Sequence, residues 1–413
     1  MIDIPQDTKT PEDQTSPVER QSVSLRDLYR EKAEVEAVLT TPEAEISKLT
    51  DAEARFAASQ WSVILRRFRR NKAALIGGII VLLYYLVAIF GEFIAPYALE
   101  TRFVEHAYLP PQRVHFLDGG KIKPFVYKVE SERDPRTLKK IHTQTDEKVY
   151  LKFFAKGDEY KVLGQLGVNL FTWDVHLFEA QNGPVALFGT DSQGRDLFSR
   201  VILGSQISLF VGLFGVVLSI VFGTVLGITS GYYGGLIDEL IQRMIEIVRA
   251  FPQIPLWMAL SAAVPQGWSP TKTYFAVTLI LSLIGWTWLA RQLRGQVLTL
   301  RQSDYVMAAR LAGASDSRII FKHLLPATLG QIIVVATLSL PAMILAETAL
   351  SFLGLGLRPP ITSWGVLLQE SQNIQSLALY PWVFIPAVVM VVLILAFSFL
   401  GDGLRDASDP FTI

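Results

Sequence analysis

The chain has 413 residues, half of them hydrophobic and only 18% charged, with a formal net charge of zero and no cysteine. Soluble domains carry about 25% charged residues, so the deficit points to membrane spans, and the balanced charge makes no case for a nucleic-acid partner. Without cysteine there can be no disulfide and no thiolate metal site.

The charge is unevenly spread, which divides the chain. Residues 1–71 are polar and are expected to form a cytoplasmic N-terminal region. A Pro/Thr/Asp/Gln stretch reads as disordered. Helical patterns follow, with starts at Thr41-Pro42 and at the capping-box spacing Thr50-Asp51-Ala52-Glu53. This region is either a surface helix or a partner-binding arm. No apolar core stands before a cleavage site, so the first apolar run is expected to be a retained helix that also targets the chain. That run, Ala73–Ile94, follows Arg66, Arg67, Arg69, Arg70 and Lys72, and residues 72–96 are read as the first span.

Residues 97–188 are too long for a plain connection. They alternate in Lys123–Val129 and Lys148–Phe154, with turn signals at Asp118-Gly119-Gly120, Lys156-Gly157-Asp158 and Asn182-Gly183-Pro184. The pattern predicts a small β-rich insertion on the extracytoplasmic side. Residues 189–413 then hold the remaining apolar runs: Ile207–Ile228, Tyr274–Ala290 with its flanks, Ile332–Leu350 and Trp382–Leu400. Each approaches the roughly 20 apolar residues that a bilayer core requires. A further run, Ile241–Val264, contains Arg243, Glu246, Arg249, Pro252 and Pro255. It is read as a sixth span, or else as an interfacial helix with a short re-entrant piece. Gly223, Gly227 and Gly231 form two small-xxx-small steps suited to close helix packing. The expected fold is thus an all-α polytopic membrane protein of about six helices with a small β-rich insertion. Basic residues cluster before Ala73 and along 291–327, whereas Pro265–Thr273 and Ser351–Tyr380 are poor in them. Six spans with both termini cytoplasmic agree with that bias.

No catalytic constellation stands out. There is no GxxxxGK[ST] phosphate loop, no HExxH and no GxSxG. His106, His115, His142, His176 and His323 are scattered and read as surface or turn residues, not as metal ligands. The chain is expected to be neither an enzyme nor a holder of a cofactor. Glu347 near the end of a span is either a pore- or gate-lining group or a carboxylate satisfied by local donors such as Thr348 or by interface water. Pro341 in the same run invites a kink.

The connection 291–327 carries the most information. Ser303–Pro326 predicts two short helices: Asp304 caps the first and Gly313 ends it, then Ser315 or Asp316 caps the second and Pro326 limits it. Ala308, Ala309, Ala312 and Ala314 suit close approach to another backbone. The bland alternative is an ordinary interfacial loop.

This stretch resembles the EAA loop of ABC-importer permeases, E-A-A-x-x-x-G followed by I-x-x-H-x-L-P, matched by Ala308, Ala309, Gly313, Ile320, His323, Leu325 and Pro326. Met307 stands where that family has glutamate. Three more stretches resemble the dipeptide/oligopeptide/nickel permeases. They are Gly189-Thr190-Asp191-Ser192-Gln193-Gly194-Arg195-Asp196, the turn Gly231-Tyr232-Tyr233-Gly234-Gly235, and Glu347 through Gly356. The end of the chain, Gly401–Asp406 with Asp409-Pro410, fits as well, and the pattern points to the C-type subunit.

The resemblance implies a type I ABC-importer transmembrane fold in a bacterial cytoplasmic membrane. It implies a second permease subunit, an extracytoplasmic solute-binding protein, and two ATP-binding subunits that hold ATP and Mg. It also implies that Met307, Ala308, Ala309, Arg310, Gly313, Ala314 and Ser315 form the ATPase-coupling element. The cargo would be a peptide or similar small solute, with nickel chelates, opines and oligosaccharides as alternatives within the family. The long insertion departs from the usual C-type pattern. The competing readings are a secondary transporter or channel, which would not need the Ala308–Gly313 element, and a membrane scaffold, which would not need Glu347 or a kinked, glycine-rich bundle.

Overall fold

The computed structural model describes residues 65–133, 140–168, 170–265 and 267–408. The helix starts expected at Thr41 and Thr50 lie outside these residues. Among the described residues five helical segments are long and apolar enough to cross a membrane: Lys72–Ile89, Leu197–Tyr233, Pro270–Leu300, Asp316–Phe352 and Pro381–Ser408.

Helix α1 spans Lys72–Ile89, and its start is set by Asn71, whose side chain accepts from Ala74 N at 3.1 Å. The helix breaks at Phe90 and resumes as the single turn α2, Gly91–Ile94. The expected unbroken run to Ile94 is therefore in two pieces. The break lets Gly91 settle against Gln206, whose amide nitrogen lies 3.1 Å from where a Cβ would stand.

The insertion is a four-stranded antiparallel sheet in the order β1 (His115–Asp118), β2 (Lys121–Arg133), β3 (Lys140–Lys161), β4 (Thr172–Ala180). Gly119 and Gly120, both at positive φ, close the β1–β2 hairpin as the turn signal predicts. Strand β3 is long enough to serve two neighbours. Its first half pairs with β2 (Val126 opposite Val149) and its second half with β4 (Phe153 opposite Phe178). The signal Lys156-Gly157-Asp158 is not a turn between strands. It is an irregularity within β3, where the register shifts between Lys156 and Tyr160. Glycine is required at 157 because a Cβ would stand 2.7 Å from the His176 ring. His176 itself is buried, not at the surface. Its Nδ1 lies 2.8 Å from Ala95 O and its Nε2 3.1 Å from Asp158 O, which ties the sheet to the end of the first span.

The helical core is built on α3 (Leu197–Tyr233) and α6 (Pro270–Leu300). Gly223, Gly227 and Gly231 face α6, and added Cβ atoms would come within 3.0 Å of Trp286 O, 2.7 Å of Ala290 O and 2.8 Å of Arg294 O. The small-residue steps thus act as the sequence suggests, letting two backbones touch.

The sixth apolar run is two helices, α4 (Gly235–Ala250) and α5 (Gln253–Ala262), broken at Phe251-Pro252. Proline removes a backbone donor and forces its predecessor towards extended geometry; Phe251 has ψ 138°. Together they run back along α6. Asp238 forms a bidentate pair with Arg294 (2.5 and 2.6 Å), Ile245 packs with Trp286 and Ala290, and Trp257 joins the cluster of Tyr274 and Val277. The charges that made this run ambiguous are used at the surface: Arg243 bonds Glu246 at 2.8 Å, and Arg249 lies over Trp288.

After α6 come α7 (Asp304–Leu311), α8 (Asp316–Ile319), α9 (Leu325–Phe352), the short α10 (Trp364–Leu368) and α11 (Ile374–Leu379), and finally α12 (Ile385–Ser408). Because α6 reaches Leu300, Arg291 and Arg294 belong to a helix and not to the expected loop. Pro326 does not end α8. A π-turn over Ile320–Leu324 carries the chain into α9, where Pro326 occupies the first turn and its missing N–H costs nothing.

Candidate functional site

The Ser303–Leu324 element combines a fixed base with a free face. Val306, Ile319 and Leu324 are fully buried in a cluster with Ile228, Tyr232, Leu293, Val297 and Ile332. Met307, Ala308, Arg310, Leu311, Ala312 and Gly313 are exposed, Leu311 at 86%. Ala309 and Ala314 are half-buried and Ser315 is exposed. Met307 and Leu311, one turn apart, leave apolar surface open on a helix whose base is buried.

Local chemistry shapes the element. Ser303, not Asp304, is the N-cap of α7, and it makes no side-chain cap bond. Asp304 is the first helical residue, where its charge meets the helix dipole. Gly313 (φ +78°) ends α7 as expected, with Ala314 N bonding Ala309 O at 3.0 Å in the Schellman pattern. Ser315 caps α8, accepting from Arg318 N at 3.4 Å.

The base of the element is joined to α3 through Tyr232. The Tyr232 hydroxyl donates to Asp316 Oδ1 (2.7 Å) and accepts from Arg310 Nη2 (3.4 Å), and the guanidinium of Arg310 sits 5.7 Å over its ring. Arg301 Nη1 donates to the Gly231 and Tyr232 carbonyls at 3.1 and 3.2 Å, a cation on the C-terminal end of α3. The element is covalently continuous with α6 on one side and, through the π-turn, with α9 on the other. Its base therefore meets three long helices, α3, α6 and α9.

Glu347, on α9, has no exposed surface. Its Oε1 accepts from Ser351 Oγ and Ser363 Oγ, each at 2.7 Å, and its Oε2 from Ser208 Oγ at 3.3 Å. Ser208 lies on α3 and in turn accepts from Trp364 N; Ser363 caps α10. The carboxylate is satisfied by serine hydroxyls, Ser351 from its own helix and Ser208 and Ser363 from elsewhere in the chain, and not by Thr348. In this structure Glu347 lines no open space. Pro341 is also buried, and α9 continues through it.

The Gly189–Asp196 stretch forms a knot between the insertion and α3. Asp191, 1% exposed, accepts from Gln193 N and Arg195 N (2.9 Å each), from Arg195 Nε (2.7 Å) and from the buried Arg200. Thr190 N bonds Leu109 O, and Thr190 Oγ1 accepts from Leu109 N. Asp196 caps α3 by accepting from Ser199 N at 2.7 Å, and burial pushes its carboxyl up to about 6. Gly194 (φ +73°) cannot be replaced cheaply, because a Cβ would overlap Phe103 O at 2.1 Å. Gly189 also packs closely, 2.6 Å from where its Cβ would stand to Leu109 O.

Comparison with known proteins bears on what these parts belong to. Residues 223–413 match the family described as binding-protein-dependent transport system inner membrane component, and residues 59–111 match the N-terminal TM domain of oligopeptide transport permease C. The oligopeptide transport system permease protein OppC of Bacillus subtilis (strain 168) is 31% identical over 353 residues, covering 85% of this chain and 90% of that protein. The chain belongs to this permease family. OppC of Escherichia coli (strain K12) is 43% identical over 229 residues, covering 54% of this chain and 72% of OppC. The glutathione transport system permease protein GsiD of Salmonella paratyphi A is 36% identical over 350 residues, covering 85% and 90%. The expectation of a C-type permease subunit with an all-α polytopic fold and a small sheet holds.

In this permease Met307, at the position of the family glutamate, is exposed and adds to the apolar surface of Leu311. The sequence reading missed Tyr232, Arg301 and Asp316 as the residues that seat the element. The Gly231–Gly235 turn had marked the place, but its bonding partners lie 69–84 residues away.

Proposed function

We propose that this permease forms one half of the translocation pathway of an ATP-driven importer for peptides or similar small solutes delivered by a solute-binding protein. In this reading it pairs with a second permease subunit and two ATP-binding subunits, which would hold ATP and Mg. Both termini are cytoplasmic, in a bacterial inner membrane. The chain then supplies geometry and no bond-breaking chemistry. The observation that carries the reading is the exposed face Met307–Gly313, seated by Val306, Ile319, Leu324 and the Tyr232 bonds on three long helices. A free surface with a stiff base suits a lever, and a docked ATPase subunit that changes shape would bias the balance between two packings of the spans. The names of the relatives, oligopeptide and glutathione permeases, support the solute class.

The test is reconstitution with the proteins encoded beside this chain, measuring uptake of labelled peptide and ATP hydrolysis in proteoliposomes. The expected result is uptake that requires ATP, with hydrolysis raised by loaded binding protein. Peptide movement that proceeds without any ATPase subunit would favour the secondary-transporter reading.

A further inference from the structure

The insertion ends in an aromatic cluster whose partner nothing above assigns. Phe154, Leu170, Phe171 and Trp173, at the β3–β4 end of the sheet, are 69%, 61%, 55% and 46% exposed. Phe93 packs on two of them, with ring centroids 6.2 Å from Trp173 (nearly parallel, 19°) and 6.1 Å from Phe154; Phe171 lies 6.2 Å from Trp173. Phe154 holds φ +51°, a left-handed conformation that costs a bulky residue energy and persists only where surroundings enforce it.

What covers this cluster follows from where Phe93 sits. The exposed large apolar residues of α1 are Ile76, Ile79, Leu82, Leu83 and Leu86, with Phe90 at the break, each three or four positions from another. That is one stripe of a helix, and on a spanning helix such a stripe faces hydrocarbon. The next position in the same spacing is Phe93, just past the end of α1. The cluster is therefore continuous with a lipid-facing surface, at the level where that surface leaves the membrane. Aromatic side chains concentrate at this depth because their rings tolerate both the headgroup and the acyl boundary. Of the cations on this end of β3, Lys156 is paired with Asp174 at 3.0 Å, while Lys152 and Lys161 are exposed beside the rings.

We propose that the β3–β4 end of the insertion is a membrane anchor, with Phe154, Phe171 and Trp173 seated in the headgroup region of the bilayer beside the first span. The anchor fixes the tilt of the sheet over the helical core and leaves β1 and the β1–β2 turn in water.

The chain has no cysteine, so single sites can be labelled cleanly. The assembled permease complex is placed in nanodiscs of phosphatidylcholine with an environment-sensitive fluorophore on Trp173→Cys, Leu170→Cys or, as control, Phe116→Cys in β1. Leu170 lies outside the strands, so its variant reports even if Trp173→Cys fails to fold. Labels at 170 and 173 are expected to lose about half their emission to a nitroxide carried near the lipid headgroups and to resist aqueous iodide, with the opposite result at 116. Iodide quenching at all three sites overturns the proposal. So does shielding at 170 and 173 from both quenchers, which would mark a protein contact, and so does protection that arises only when binding protein is added.

Discussion

Asp191→Ala is expected to be among the most destabilising single substitutions in this permease. Among the described residues Asp191 is the carboxylate ion-paired with Arg200, whose side chain is 5% exposed, and it also holds Arg195 and two backbone N–H groups of its own loop. Removing it leaves a buried guanidinium without its bonded counter-charge, with Glu370 acting only at longer range, a situation that costs about 3–5 kcal/mol. The loss would fall on the junction between insertion and α3. Trp382 also bonds there, through its indole N–H to Thr190 O at 3.1 Å. Thermal unfolding in detergent should therefore show a large fall in midpoint for Asp191→Ala. The double variant Asp191→Ala/Arg200→Met should recover part of it, because the unpaired charge is gone. If the single variant unfolds at the wild-type temperature, the knot does not hold the two parts together as described.

Leu311→Asp should separate ATP hydrolysis from transport. Leu311 is 86% exposed, so the substitution removes no packing within the chain, and the folded permease should be as stable as before. In the importer reading the same residue is buried under an ATPase subunit. A carboxylate there would be desolvated without a partner, and loss of a central apolar anchor costs an interface about 2 kcal/mol or more, which is over tenfold in affinity. The expected outcome in proteoliposomes is loss of peptide uptake and of stimulation by binding protein, with wild-type thermal stability. Tyr232→Phe gives a gentler version. It keeps the ring under Arg310 but removes the hydroxyl that bonds Asp316, so docking should survive while coupling weakens. Full uptake by Leu311→Asp would remove α7 from the transmission path.

How much was legible in the sequence depended on the range of the forces involved. Spans, the glycine face of α3 and the Gly313 stop were readable because they arise from hydrophobic length, small-residue spacing and one backbone angle. The break at Pro252 was visible as a residue but not as an outcome, since prolines also sit inside α9 without ending it. The reverse error occurred at Pro326, where a π-turn lets the helix pass, and at Gly157, where a neighbour's ring and not a turn demands glycine. The capping role given to Asp304 went to Ser303 one residue earlier, a shift that pattern reasoning cannot resolve. Long-range chemistry was out of reach. The serines that satisfy Glu347 come from positions 208, 351 and 363, and only Ser351 is local. Tyr232 gained its importance from Arg310 and Asp316, a separation no short window spans. The family resemblance filled part of that gap by marking the two places, but it did not say what bonds form there.

The most direct test of the central claim is a photo-crosslink from the free face of α7. A benzophenone maleimide on Leu311→Cys, in a chain with no other cysteine, reports what lies within reach of that position in the assembled complex. The account predicts an adduct with an ATP-binding subunit, and none when the same probe is placed on Phe116→Cys in the sheet. An intact complex in which the Leu311→Cys probe captures no ATPase subunit would contradict it.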